Sequence, residues 1–242
     1  NNFSVAAGIT YYNVLEVHLD SLVADHEGDG DGWGHNIALM YKGNGYNVGL
    51  TYRSKVKADI SGTAVGGVLS GQQGTAVPVT TSITFPEIVN LGFSFNPNDK
   101  WLMSMELDWI TWDRFASIDL IYHGATLAAI GSSSSIPAYW TYPEAFRAGA
   151  EWQYRKNMRA RFGYVYDPTP VTDTDFSPRL PGEDRQLITL GYGYDLNNQT
   201  TMDFAYAYVW LDDRNQTASA ASRNGLYESE IHILSASLTY RF

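Results

Sequence analysis

The chain has 242 residues, of which 44% are hydrophobic, 14% aromatic and only 17% charged, with a formal net charge of −10. The charged fraction is below that of soluble domains, and the acidic balance without a basic stripe argues against a nucleic-acid partner. The absence of cysteine excludes disulfide scaffolds and thiolate metal sites. No apolar run is long enough for a helix that spans a bilayer. Residues 1–4 lack a signal pattern, so we expect a removed signal or a start within a longer protein.

Strand patterns follow one another from the first residues to the last. Strands in one direction are predicted at 3–23, 45–58, 100–115, 157–167 and 200–212. Return strands are predicted at 33–42, 83–96, 143–155, 184–196 and 229–242. The sequence therefore predicts about ten antiparallel strands, each paired with its neighbour in the chain.

The connections between these strands are sorted by length. Short turns rich in Gly, Asn, Asp and Pro are predicted at 42–45, 96–99, 155–157 and 196–199. Long connections are predicted at 24–32, 59–82, 116–142, 168–183 and 213–228. Outer-membrane barrels have short periplasmic turns and longer extracellular loops, so this order favours an all-β transmembrane antiparallel barrel.

Apolar and polar residues alternate within the strands. Between Trp101 and Trp109 the odd positions are apolar, whereas the even positions include Ser104, Glu106 and Asp108. Similar alternation recurs at 146–154, 158–166 and 202–210. One face that is apolar and ends in Tyr or Trp suits lipid, and the charged opposite face suits a polar lumen. A half-exposed soluble sheet also alternates, but it gives no reason for sorted loops or aromatic strand ends.

Six segments carry short motifs in a fixed order. Five of them are Gly30-Asp31-Gly32-Trp33-Gly34, the run GLTYRSKV at 49–56, Phe85-Pro86-Glu87, the run WITWDRF at 109–115, and 142–152. The sixth is RFGYVYD at 161–167, followed by LPGEDR at 180–185. Their order and spacing across essentially the whole chain resemble the FadL family of outer-membrane transporters for long-chain fatty acids and other hydrophobic compounds. A C-terminal alternation that ends at Phe242 agrees with this resemblance.

The resemblance implies a barrel of about 14 strands whose lumen is plugged by an N-terminal hatch. This chain matches the family from about the fifth strand onward. We therefore expect residues 1–242 to be a single β-barrel domain that lacks the hatch and the first four strands. The resemblance also implies an outer-membrane location, and we expect a monomer.

Basic residues predicted to face the lumen are candidates for binding a ligand carboxylate, because an unpaired buried carboxylate is costly. They are Arg53, Lys55, Arg147, Arg159, Arg161 and Arg185. Arg161 and Arg185 are preferred because they lie in the best-matched motif. The alternative is that these cations pair across strands with Glu106, Asp108, Glu151 and Asp203 and only stabilise the wall.

The long connections 59–82 and 116–142 contain many apolar residues, and such surface patches often mark binding sites. In the resembling family the outer loops receive the substrate first, which makes Leu127, Ile130 and Trp140 candidates for substrate contact. The alternative is that these loops pack on one another over the barrel mouth. The segment 27–32 alternates acidic residues with glycine, but it lacks the full calcium loop, so a solvated loop is expected.

The function predicted from these observations is passive uptake of hydrophobic small molecules, with fatty acids as the first substrate. Monoaromatic hydrocarbons are the alternative substrate, and a general porin is the alternative class of channel. No nucleophile or metalloprotease motif is present, so we expect neither an enzyme nor a cofactor.

Overall fold

A computed structural model describes residues 2–123, 131–138, 140–172, 182–217 and 224–242. These residues form the strands β1 Phe3–Leu19, β2 Ala24–Lys42, β3 Tyr46–Arg53, β4 Val56–Gly66, β5 Ala76–Phe85, β6 Ile88–Asn98, β7 Trp101–Ile110, β8 Ser117–Tyr122, β9 Ser133–Pro137, β10 Glu144–Arg155, β11 Met158–Asp167, β12 Arg185–Asp195, β13 Thr200–Leu211, β14 Arg214–Gln216, β15 Gly225–Tyr227 and β16 Glu230–Tyr240. A 3₁₀ turn, Trp112–Arg114, follows β7. Within these ranges, no helix has both the length and the apolar character needed to cross a membrane.

Ten of the strands form a continuous antiparallel wall. Its order is β1, β2, β3, β6, β7, β10, β11, β12, β13 and β16, and each strand pairs with the next. These are the ten strands predicted from the alternation, so the predicted barrel wall is confirmed. The first short turn shows how the sequence closes a hairpin: Gly45 has a φ of 81°, a left-handed conformation that glycine adopts without steric cost.

The register places apolar residues on one face of the wall and polar residues on the other. Phe162 lies opposite Ala150 on β10 and Leu190 on β12, and the side chains of Phe162 and Leu190 are exposed on the outer face. Aromatic residues mark both borders of this face. On the side of the short turns, Trp101 and Trp152 stack with ring centroids 5.5 Å apart, and on the other side Tyr11 lies 4.6 Å from Trp33. The outer face therefore has the aromatic borders that a lipid-facing wall requires.

Beyond the wall, on the side of the long connections, the sheet continues as an extension. It consists of β1 from Asn13 onward, the first half of β2, β4, β5, β8 and β9. We call it the extracellular extension, since the long connections of outer-membrane barrels face outward. The predicted connections 24–32 and 59–82 are therefore wrong, because most of their residues lie in β2, β4 and β5. The segment 27–32 is likewise part of β2 rather than a solvated loop.

Glycine explains why these strands escaped prediction. Glycine is depleted in strands, yet every second residue of β2 from Gly28 to Gly34 is glycine. A Cβ atom at Gly30 would lie 2.1 Å from the backbone oxygen of Asp59 on β4. The sheet bends sharply here: the rings of Tyr12 on β1 and Phe85 on β5 have centroids 5.1 Å apart, although β2 and β4 lie between these two strands. Between positions 28 and 34, only glycine fits on the concave face of β2.

The concave face of the extension encloses a small apolar core. Its buried members are Ala24, Ala64, Val77, Val79, Leu120 and Tyr122, with Leu19 and Ile118 packed against them. His26 joins the two sides, because its ring nitrogens lie 3.0 Å from the Leu19 carbonyl oxygen and 2.9 Å from the Tyr122 hydroxyl. Burial raises the pKa of the Tyr122 phenol. Val77, predicted from the sequence to be an apolar loop residue, is therefore a core residue.

Gly30→Ala is expected to lower the free energy of unfolding by about 1–3 kcal/mol, the usual cost of overpacking, because the clash is with backbone. Gly49→Ala is the matched control, since the nearest atom to its added Cβ is the Leu39 oxygen at 4.0 Å. The measurement is urea unfolding in detergent, followed by tryptophan fluorescence. Equal midpoints for the two variants would contradict the sharp bend at β2.

Candidate functional site

The lumen face of the wall is organised in three levels. An upper charged row, nearest the extension, contains Glu106, Asp108, Arg147, Asp167 and Arg185. A lower charged row contains Glu151, Arg159, Arg161, Asp195 and Asp203. Between them runs a small-residue belt, in which neighbouring strands contribute Asn47, Ser94, Ser104, Gly149, Gly163 and Thr189.

The upper charged row is centred on Arg147. Its guanidinium donates a hydrogen bond to Glu106, 2.8 Å away and directly opposite on β7, and it also pairs with Asp108. Asp108 is only 1% exposed and accepts a further hydrogen bond from Asn90. Its cross-strand partner on β10 is Ala145, whose small side chain leaves room for this cluster. A buried carboxylate is tolerated here because a cation and an amide both satisfy it.

The lower charged row is centred on Arg161. Its Nε lies 2.6 Å from Glu151 and its Nη1 lies 2.6 Å from Asp203, so one guanidinium bridges two carboxylates. Glycines make this bridge fit, because a Cβ at Gly193 would lie 2.8 Å from the Asp203 carboxylate oxygen. Arg159 pairs with one carboxylate, that of Asp195, at 2.7 Å. The glycines of β12 therefore leave the space that the side chains of these ion pairs occupy.

Four of the six cations predicted as ligand contacts thus have carboxylate partners. Besides the two row centres and Arg159, Arg185 pairs with Asp167 directly across from it on β11. Their role in ligand binding remains a prediction. Arg53 ends β3 on the lumen face and is exposed, and no ion pair involves it in the described part of the chain. Lys55 is exposed in the break between β3 and β4 and is likewise unpaired there.

The small-residue belt creates a recess in the lumen wall. A cavity of about 460 Å³ lies along it, bordered by Gly49, Gly92, Ser104, Gly149 and Gly163. A second cavity of about 460 Å³ lies above it, lined by Asn36, Thr51, Arg53, Asn90, Asp108 and Arg147. Sequence analysis missed this belt. Its only signal was the recurrence of Gly and Ser at polar positions of successive strands.

Trp140 lies between β9 and β10, half-buried, at the base of the outer connections. Its ring centroid is 5.3 Å from that of Trp112 and 4.8 Å from that of Phe115. Trp140 is therefore part of an aromatic cluster, and its contact with substrate remains a prediction. Leu127 and Ile130, the other two predicted contacts, lie outside the described residues.

Curated relatives share this sequence over most of its length. The chain is 26% identical over 229 residues to the long-chain fatty acid transport protein of Escherichia coli O6:H1, covering 87% of this chain and 49% of that protein. It is also 26% identical over 221 residues to alkane uptake protein A of Marinobacter nauticus, covering 82% and 46%. The chain therefore spans about half the length of these relatives.

Solved structures share the fold. A Pseudomonas aeruginosa FadL homologue superposes with a TM-score of 0.79 at 19% identity, covering 99% of this chain and 64% of that one. The Pseudomonas putida toluene transporter TodX gives a TM-score of 0.58 at 16% identity, covering 98% and 64%. The family model described as outer membrane protein transport protein (OMPP1/FadL/TodX) matches residues 5–242. The chain belongs to this family, and its ten-stranded wall is that of an outer-membrane β-barrel.

Proposed function

We propose that this chain forms the wall of a passive uptake route for hydrophobic small molecules, with long-chain fatty acids as the first substrate. The observation that carries the proposal is the small-residue belt, which forms an open recess between two charged rows. The relatives named above, a fatty acid transporter and an alkane uptake protein, support the same class of cargo. No covalent chemistry or bound cofactor is part of the proposal.

The charge arrangement favours an apolar cargo over ions. The arginines that centre the two charged rows each bind two carboxylates. Charges that are already paired within a wall attract mobile ions less than the unpaired constriction charges of a general porin. The recess between the rows has a volume within the range of roughly 300–1,000 Å³ that is usual for small-molecule pockets. An alkyl chain or an aromatic ring can lie against its glycines and serines without displacing a large side chain.

Arg53 supplies the charge that a fatty acid requires. It lines the upper cavity and has no carboxylate partner in the described residues, so its guanidinium is available to a ligand. Asn47 of the belt lies six residues away on β3, or about 20 Å at 3.3 Å per residue. A carboxylate at Arg53 would therefore leave the alkyl chain directed along the wall toward the belt. Arg161 and Arg185, preferred from the motifs, already have partners that a ligand would have to displace.

Monoaromatic hydrocarbons are the second candidate cargo, favoured by the fold shared with a toluene transporter. The belt itself accommodates either cargo, and only the need for a cation distinguishes them. We further infer that residues 1–242 form one barrel domain, equivalent to the last ten strands of a family barrel of about 14, and that the barrel is monomeric.

Arg53→Ala is expected to weaken equilibrium binding of a labelled long-chain fatty acid in detergent by about tenfold or more, because a charge-assisted hydrogen bond is worth about 1.5–3 kcal/mol. Binding of toluene should be unchanged. Arg185→Ala is the matched control. It removes a cation from the same end of the lumen, but this cation is already paired with Asp167. Equal loss in both variants, or none in Arg53→Ala, would contradict the role of Arg53.

Ser104→Phe is expected to weaken binding of both fatty acid and toluene, because the larger side chain fills the recess at the belt. The measurement is the same binding assay, with toluene also tested as a competitor of the fatty acid. Displacement of the fatty acid by toluene is expected if both occupy the belt. Full binding of both ligands to Ser104→Phe would place the site away from the belt.

A further inference from the structure

The outer face of the extracellular extension carries a cluster that the uptake route does not use. Glu16 and His18 lie two residues apart on β1 and point to the same side of the sheet, and Glu27 of β2 is paired with His18. One ligand atom from each of these three side chains lies within 4.8 Å of the other two. They form a compact set of one imidazole nitrogen and two carboxylate oxygens.

The local strand geometry brings the three groups together. A β-bulge between Val14 and Val17 holds Glu16 beside the regular pair of His18 and Glu27. Glu16 already accepts a short hydrogen bond from the His18 ring. The carboxylates of Glu16 and Glu27 therefore lie beside the His18 imidazole.

We propose that Glu16, His18 and Glu27 form an extracellular binding site for a divalent transition ion of the Zn²⁺ type. Ligands about 2.1 Å from one tetrahedral Zn²⁺ are roughly 3.4 Å apart, so these exposed side chains need only small rotations to close around the ion. Three protein ligands leave positions for water. An imidazole ligand favours Zn²⁺ over Ca²⁺ and Mg²⁺, which prefer oxygen ligands.

The same two strands give the ion a structural effect. Because side chains alternate along a strand, Val17 and Leu19 of β1 point to the opposite, concave face. There they border a cavity of about 120 Å³ together with Ile60, Val79 and Leu120. A cation on the outer face would therefore link the C-terminal end of β1 to β2. This link would stabilise the adjacent side of the apolar core.

A second histidine–glutamate pair, on the wall, provides a matched comparison. His232 and Glu230 of β16 are both exposed, and their nitrogen and oxygen are 4.0 Å apart. This pair is not part of any three-residue ligand group in the described chain. It therefore tests whether an exposed His–Glu pair alone binds the ion.

The experiment is calorimetric titration of Zn²⁺ into the metal-stripped, folded chain in detergent at neutral pH. One saturable site per chain is expected. Loss of second-shell groups alone changes metal affinity by about 10–100-fold, so removal of a ligand in His18→Ala should weaken binding by at least about tenfold. Glu16→Gln and Glu27→Gln should each weaken it as well. His232→Ala should bind as the parent chain does.

Heat-modifiable gel mobility verifies that each variant is folded before titration. The absence of saturable Zn²⁺ binding by the parent chain would overturn the proposal. Unchanged affinity in folded His18→Ala would overturn it too, as would Ca²⁺ binding of equal strength at the same site, because a nonselective acidic surface would explain both results.

Discussion

The architecture depends on one constraint: a chain that crosses lipid must satisfy all its backbone hydrogen-bonding groups within the protein. The continuous ladder from β1 to β16 does this for the wall. Once the ladder is formed, alternation assigns each residue to lipid or lumen, as the stacked pair Trp101 and Trp152 shows on the outer face. The lumen then receives the charges, and their positions across the strands are fixed by the register.

The register therefore decides which lumen charges are available to a ligand. Arg147 is directly opposite Glu106, and Arg161 is directly opposite Glu151, so both are neutralised by the same pairing that builds the wall. Arg53 is opposite Ile88 and Asn36, neither of which can neutralise it. This separates the cations that are paired within the wall from Arg53, the cation that we propose binds a ligand carboxylate. In the proposed uptake route, the belt between the two charged rows is the space for an apolar cargo.

The ten wall strands were predictable because their large apolar residues alternate with polar ones over a full membrane crossing. The extension was not predictable in this way. In β4 the inward residues include Ala58, Gly62 and Ala64, which are too small to produce a clear pattern, and β2 is rich in glycine for steric reasons that only the fold reveals. The carboxylate partners of Arg147 and Arg161 are among those that the sequence analysis named, whereas Asp195 and Asp167, the partners of Arg159 and Arg185, required the strand register.

The junction between wall and extension has unequal stiffness. β2 passes through it as one uninterrupted strand of 19 residues, and β1 follows it. On the other side, Ser54 and Lys55 interrupt β3 and β4, and Pro86 and Glu87 interrupt β5 and β6. Ser54 keeps this segment bonded to β2, because its hydroxyl oxygen accepts a hydrogen bond from the backbone N–H of His35. Any bending of the extension relative to the wall is therefore expected at the two interruptions, while the continuous pair β1 and β2 keeps its direction across the junction.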